Sequence, residues 1–152
     1  VLRDPNDFRA DEYIARPTCR VNLDTAQTLT TGATTAVVFD GADIFDAFGM
    51  HSPTANNTRI TFVVPGVYDV GGGAQFEASA VGQRAVSVRV NGATIIQSIR
   101  VDAAAAGSTI LPIHTIYRFA PGDYIELTAF QNSLGDLDVQ AATAWTSLNT
   151  KY

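Results

Sequence analysis

Cysteine is almost missing from this chain. A single thiol, Cys19, in 152 residues excludes an intrachain disulfide framework and any multi-cysteine metal site, leaving open only a bridge between chains. Lysine is as scarce: nine of the ten basic residues are arginine and the tenth is Lys151. Against these stand 15 acidic residues, and the net charge of −5 argues against a nucleic-acid partner. No apolar run approaches the ~20 residues that cross a bilayer. The opening residues, Val1-Leu2-Arg3-Asp4-Pro5, lack the basic-then-apolar order of a secretion leader and suit a chain whose initiator Met was removed. The expectation is a soluble protein with neither membrane nor nucleic acid among its partners.

Catalytic signatures are equally sparse. His51 and His114 are the only histidines, and neither sits in a zinc-binding His pair. No G-x-S-x-G elbow supports a serine nucleophile. Gly71-Gly72-Gly73 lacks the Lys-Ser/Thr of a phosphate loop, so a bulge or a close backbone approach is the expected reason for it. Cys19 and His51 could form a Cys-His pair, yet both lie in stretches with structural explanations. The chain is expected to have no catalytic residues and to be no enzyme.

What is present is β pattern. With 46% hydrophobic and 16% charged residues the chain folds, and at this length it forms one domain that buries about two-thirds of its unfolded surface. Ile60, Phe62 and Val64 alternate with Thr61 and Val63 before Pro65-Gly66. Val86, Val88 and Val90 alternate with Ser87 and Arg89 and run into Asn91-Gly92, a pair suited to a tight hairpin whose return begins at Thr94–Ile96. Ile113–Phe119 ends in Ala120-Pro121-Gly122-Asp123, then Tyr124–Phe130 and Val139–Leu148 follow. Shorter strands are expected at 19–23, 27–30 and 34–39, and Ala103–Ala106 reads as a loop. Strands at this spacing with turns between them describe an all-β sandwich or barrel.

Residues 1–17 differ from the rest. Residues 1–20 hold Arg3, Arg9, Arg16, Arg20, Asp4, Asp7, Asp11 and Glu12, with prolines at 5 and 17. They predict an N-terminal arm, with one short helical turn near Asp7–Tyr13, whose Phe8, Tyr13 and Ile14 dock onto a neighbour or onto the arm's own domain. Residues 18–152 form the domain itself.

Several strands are apolar on both faces. Ile116 stands opposite Tyr117 and Phe119, Tyr124 and Phe130 stand opposite Ile125 and Leu127, and Val63 is the odd apolar residue on its face. A contiguous surplus of this kind predicts an interface between copies of the chain, with Val63, Ile116, Tyr117, Tyr124 and Phe130 as its candidates. A cross-strand or the arm, covering that face within one subunit, is the alternative. Asp40, Asp43 and Asp46, close in sequence, are weak candidates for calcium, with Asp136 and Asp138 forming a second acidic loop. No other cofactor is suggested.

The order of these pieces resembles the complement-one-q and tumour-necrosis-factor-like jelly roll, in the version found in bacteriophage virion proteins. The likeness runs over about residues 17–148. It is carried by Pro17-Thr18-Cys19-Arg20-Val21, Ala26–Leu29, Ala36–Asp40, Asp43-Ile44-Phe45-Asp46 and Gly49-Met50-His51. Thr58–Thr61, Pro65-Gly66-Val67-Tyr68, Val88–Gly92 and Phe119–Leu127 complete it. Trp145–Leu148 departs from the Phe-Ser-Gly ending of animal members, and no collagen-like or heptad shaft precedes the domain. The resemblance implies a ten-stranded jelly-roll sandwich that assembles as a homotrimer. It also implies a virion structural protein at the particle surface, assembled in the host cytoplasm. Such a subunit would decorate or cement a capsid, or belong to the tail, held to neighbouring capsid or tail proteins through the arm. Two other roles are compatible: a tail adhesin for host-surface glycan acting through loops 40–57 and 131–138, and a secreted complement-one-q-like lectin.

Overall fold

A computed structural model describes residues 16–141 and 146–152, and none of these residues is helical. The arm candidates Phe8, Tyr13 and Ile14 lie outside the described residues. Twelve strands follow one another: β1 (Thr18–Asn22), β2 (Gln27–Leu29), β3 (Thr34–Ala36), β4 (Phe45–Asp46), β5 (Arg59–Thr61) and β6 (Gly66–Phe76). After them come β7 (Gln83–Val90), β8 (Thr94–Asp102), β9 (Thr109–Phe119), β10 (Tyr124–Gln131), β11 (Leu137–Val139) and β12 (Ser147–Lys151).

The turns form as their residues dictate. Asn91 at φ 52° and Gly92 at φ 73° take the left-handed pair between β7 and β8, and Ala93 N donates to Val90 O at 3.1 Å. Pro121-Gly122, with Gly122 at φ 89°, turns β9 into β10; Asp123 N donates to Ala120 O at 3.1 Å. Asn91 ties the two turns together. Its side-chain amide donates to Asp123 at 2.9 Å, and its carbonyl oxygen accepts Tyr124 N at 3.0 Å.

All ladders are antiparallel, and they build two sheets. The first is centred on β6. Strand β9 pairs with its whole length, from Gly66↔Phe119 to Phe76↔Thr109, while β12 and β11 succeed each other along the opposite edge. Beyond β12 lie β1 and β4, and beyond β11 lies β2. The second sheet is centred on β10, with β7 and β8 on one edge and β5 and β3 sharing the other. The sheets enclose one core: Ile125, Leu127, Val86 and Val88 from the second sheet meet Tyr68, Val70, Phe76, Leu111 and Ile113 from the first. Phe62 stacks on Phe119 at 3.8 Å between ring centroids and meets Tyr68 edge-on at 4.6 Å. The Tyr68 hydroxyl, buried with its ring, donates to Val64 O at 2.8 Å.

The all-β jelly-roll sandwich is as expected, its strands divided among the described residues into twelve ladder segments, several of only two or three residues. Two expectations are corrected. Val139–Leu148 is not one strand: β11 ends at Val139, Gln140 and Ala141 belong to no strand, residues 142–145 lie outside the described residues, and β12 begins at Ser147 on a different stretch of β6. Gly71–Gly73 do not form a bulge but lie inside β6, whose register with β9 is unbroken. The close approach expected as the alternative is found there, since a Cβ on Gly72 would stand 2.6 Å from Ser147 O. The irregularity falls elsewhere, opposite Val88/Arg89, where β8 carries an extra residue.

Candidate interaction surfaces

The exposed face of the β6 sheet is the first surface. Directly paired residues of an antiparallel ladder share a face, so Val67, Asp69, Gly71, Gly73 and Gln75 of β6 lie beside Arg118, Ile116, His114, Pro112 and Ile110 of β9. Ile116 is 64% exposed, Val67 46% and Ile110 40%. Gly71 and Gly73 raise no side chains of their own there, and the Asn149 side chain of β12 lies against Gly71, 3.2 Å from where a Cβ would stand. His114 Nε2 lies 2.6 Å from an Asp69 carboxylate oxygen in the same area.

The five interface candidates do not share that face. Ile116 lies on it. Tyr117, its neighbour, projects to the other side of β9, beside Phe119 at 5.0 Å, at an end of the core where it remains 38% exposed. Val63 lies just beyond β5. Tyr124 and Phe130 project outward from β10 in the other sheet, half-buried, with the Arg59 guanidinium 4.0 Å over the first ring and Arg100 4.6 Å over the second. Alternation assigns each residue a side of its own strand but not a sheet, so apolar residues of equal parity were separated by the topology.

The acidic loop is divided among separate tasks. Asp40 accepts the amides of Asp24 and Thr25 at 2.9 and 3.2 Å. Burial acts to raise its pKa, but the hydrogen bonds from Thr25 and the backbone outweigh it and leave the carboxyl below its ordinary value. Asp43 faces His51 Nδ1 at 2.5 Å. Asp46 accepts the amides of Phe48, Met50 and His51 at 3.3, 2.9 and 3.0 Å. The three calcium candidates therefore do not converge, and no group of three metal-ligating side chains occurs among the described residues. Asp138 of the second acidic loop accepts the Thr28 hydroxyl at 2.7 Å.

His51 and Cys19 form no nucleophile and base. The His51 side chain is fully buried, with Nδ1 against Asp43 and Nε2 3.4 Å from the Asn57 carbonyl, so both ring nitrogens face acceptors. Cys19 is buried in the β1–β4 ladder, and burial, with Asp46 and Asp43 adding to it, pushes the thiol far above its ordinary range. Sequence reasoning passed over Arg84. Fully buried at the start of β7, it donates to the carbonyls of Ser79, Val81 and Gln83 at 3.0–3.1 Å and closes that end of the core.

A second surface is a groove of about 1860 Å³ at the end of the molecule where Arg16 enters and Tyr152 ends. Phe48, Val64, Pro65, Val67 and Tyr152 provide apolar wall, and Arg16, Arg118 and Lys151 stand with Asp123 as its charges. Tyr152 lies across Gly66, where a Cβ would collide with its ring, and its amide donates to Pro17 O at 3.2 Å.

No family model matches the chain, and no curated protein matches it significantly. Solved structures do match. Murine APRIL superposes with a TM-score of 0.63 at 13% identity, over 90% of this chain and 98% of that one. The globular domain of zebrafish complement 1qA protein gives 0.63 at 15% identity, covering 90% and 95%. Eiger TNF from S. frugiperda gives 0.62 at 9% identity, covering 90% and 91%. Likeness at these identities is likeness of fold: two curled antiparallel sheets in the jelly roll shared by these domains.

Proposed function

We propose that this chain is a non-enzymatic, homotrimeric subunit on the surface of a phage particle, held to neighbouring capsid or tail proteins through residues 1–17. The observation that carries the assembly is the exposed aliphatic surface that Ile116, Val67 and Ile110 place on the outer face of the β6 sheet, among Asp69, His114 and Arg118. Burying what they expose gains about 25 cal/mol for each Å² of apolar surface removed from water. The jelly-roll fold agrees with this reading, as do the buried Cys19 and the occupied nitrogens of His51, which leave no nucleophile and base between them. The virion role is supported by the residue patterns from Pro17 to Leu127 and by the charge-dense segment ahead of the domain.

Sedimentation at micromolar concentration tests the assembly, with three chains per particle expected and a single-chain species refuting it. Mass spectrometry of purified virions, from the phage whose genome encodes the chain, tests the location. The secreted complement-one-q-like reading shares the fold and predicts free trimers in the medium with none retained on particles.

A further inference from the structure

We infer that a trough across the outer face of the β10 sheet binds a polysaccharide that carries carboxylates. Register places the trough. Ala36, Thr128, Ser87 and Ser98 stand side by side on β3, β10, β7 and β8, and all four are small. They alternate with the core residues Leu127, Ala129, Val86 and Val88, so they project outward. Thr128 is nonetheless only 5% exposed, because taller side chains stand two residues away on either side. One flanking row is Arg59, Glu126 and Arg89; the other is Phe130, Ala85 and Arg100. At ordinary strand dimensions these walls are about 13 Å apart at their Cα atoms, and the floor runs about 14 Å across four strands.

The floor offers hydroxyls and the walls offer cations. Ser87 and Ser98 share a hydrogen bond at 2.8 Å, and Thr128 donates to Ser87 O at 3.3 Å, so each hydroxyl keeps acceptor capacity. Arg100 lies 4.6 Å over the Phe130 ring, reaching it across the small Ala85, and the ring holds the guanidinium flat. Glu126 does not answer Arg89. Its Oε1 accepts the Thr58 hydroxyl at 2.7 Å and Arg59 Nε at 3.3 Å. The Arg89 side chain bonds to no acceptor among the described residues, and its Nε is buried in that condition. Asp102, farther along β8, is held by the Gln83 side-chain amide at 3.0 Å. In a chain of net charge −5, Arg89 and Arg100 thus border the trough without an ion-pair partner among the described residues. A planar guanidinium takes a carboxylate in two parallel bonds. An acidic polypeptide fits less well, since β10 and β7 are paired on both edges and leave no backbone groups for an added chain. Hydroxyls that both donate and accept match the hydroxyls of sugar rings.

Affinity electrophoresis of the full chain provides the test, in gels cast with alginate, polygalacturonate or hyaluronate and in control gels cast with neutral dextran or polyglutamate. Retardation is expected in at least one uronate gel and in neither control. Arg89→Gln and Arg100→Gln should each weaken the apparent Kd about tenfold, as loss of a hydrogen bond to a charged group does. Ser98→Ala should weaken it severalfold. Lys151→Gln, which removes a positive charge from the other sheet, should bind as the parent does. Tm and sedimentation of every variant should match the parent, which separates the outcome at the trough from that of the trimer. No retardation in any uronate gel overturns the inference. Equal retardation in polyglutamate also overturns it, because the partner would then be an acidic peptide, and equal retardation in dextran removes the role of the carboxylate. Binding that Lys151→Gln weakens as much as Arg89→Gln does would mark diffuse charge and overturn it too.

Discussion

A glycine can be required by space alone. Gly72 has ordinary strand conformation, yet β12 passes so close that any Cβ meets the Ser147 carbonyl at 2.6 Å. Gly72→Ala is expected to destabilise by about 1–3 kcal/mol, as overpacking does, seen as a fall of several degrees in Tm. Gly135→Ala is the control: nothing lies within 4 Å of its Cβ position, and Tm should hold or rise slightly. Cys19 shows burial acting on chemistry at the same scale. With its thiol pKa driven upward by burial and by Asp46 and Asp43, it should resist alkylation in the native protein at pH 8. Labelling should become rapid only in denaturant.

At the level of elements, the two neighbouring turns act as one latch. Asp123 accepts the Asn91 side-chain amide and the Ala120 backbone amide, and these two bonds lower its pKa from the ordinary carboxylate value. A carboxyl whose folded pKa is depressed stabilises the fold above its unfolded pKa, near 3.8, and loses that contribution as pH falls through the folded value. Asp40, depressed likewise, loses its contribution in the same direction. Tm should therefore fall as pH drops from about 5 to 2. Asp123→Asn should lower Tm at neutral pH and flatten part of that acid dependence; an unaltered acid profile would show that the latch contributes nothing. The effect is small because the carboxylate is open to solvent.

For the whole molecule, the question is which sheet meets its copy. Ile116→Asp places a carboxylate at the most exposed apolar position of the β6 sheet, where burial without a partner costs several kcal/mol. It should convert trimer to monomer at micromolar concentration with Tm of the monomer preserved. Phe130→Asp alters the other sheet, where Arg100 already covers the ring, and should leave the trimer intact. The reverse pattern, read by sedimentation of both variants, would assign the interface to the β10 sheet.

The sequence by itself determined the class of fold and much of its punctuation. Alternating valines in β7, the left-handed Asn91-Gly92 pair and the Pro121-Gly122 corner are set by local sterics, which act within a few residues. It also marked Ile116 as surplus apolar surface, because alternation exposes one face of each strand. Tertiary structure alone decided which surplus residues are neighbours. Tyr124 and Phe130 went to the far sheet under arginines because strand order, not parity, assigns sheets. The split of Val139–Leu148, the glycine run paired closely beside β12 and the separate engagements of Asp40, Asp43 and Asp46 were decided by contacts distant in sequence, which no local pattern encodes.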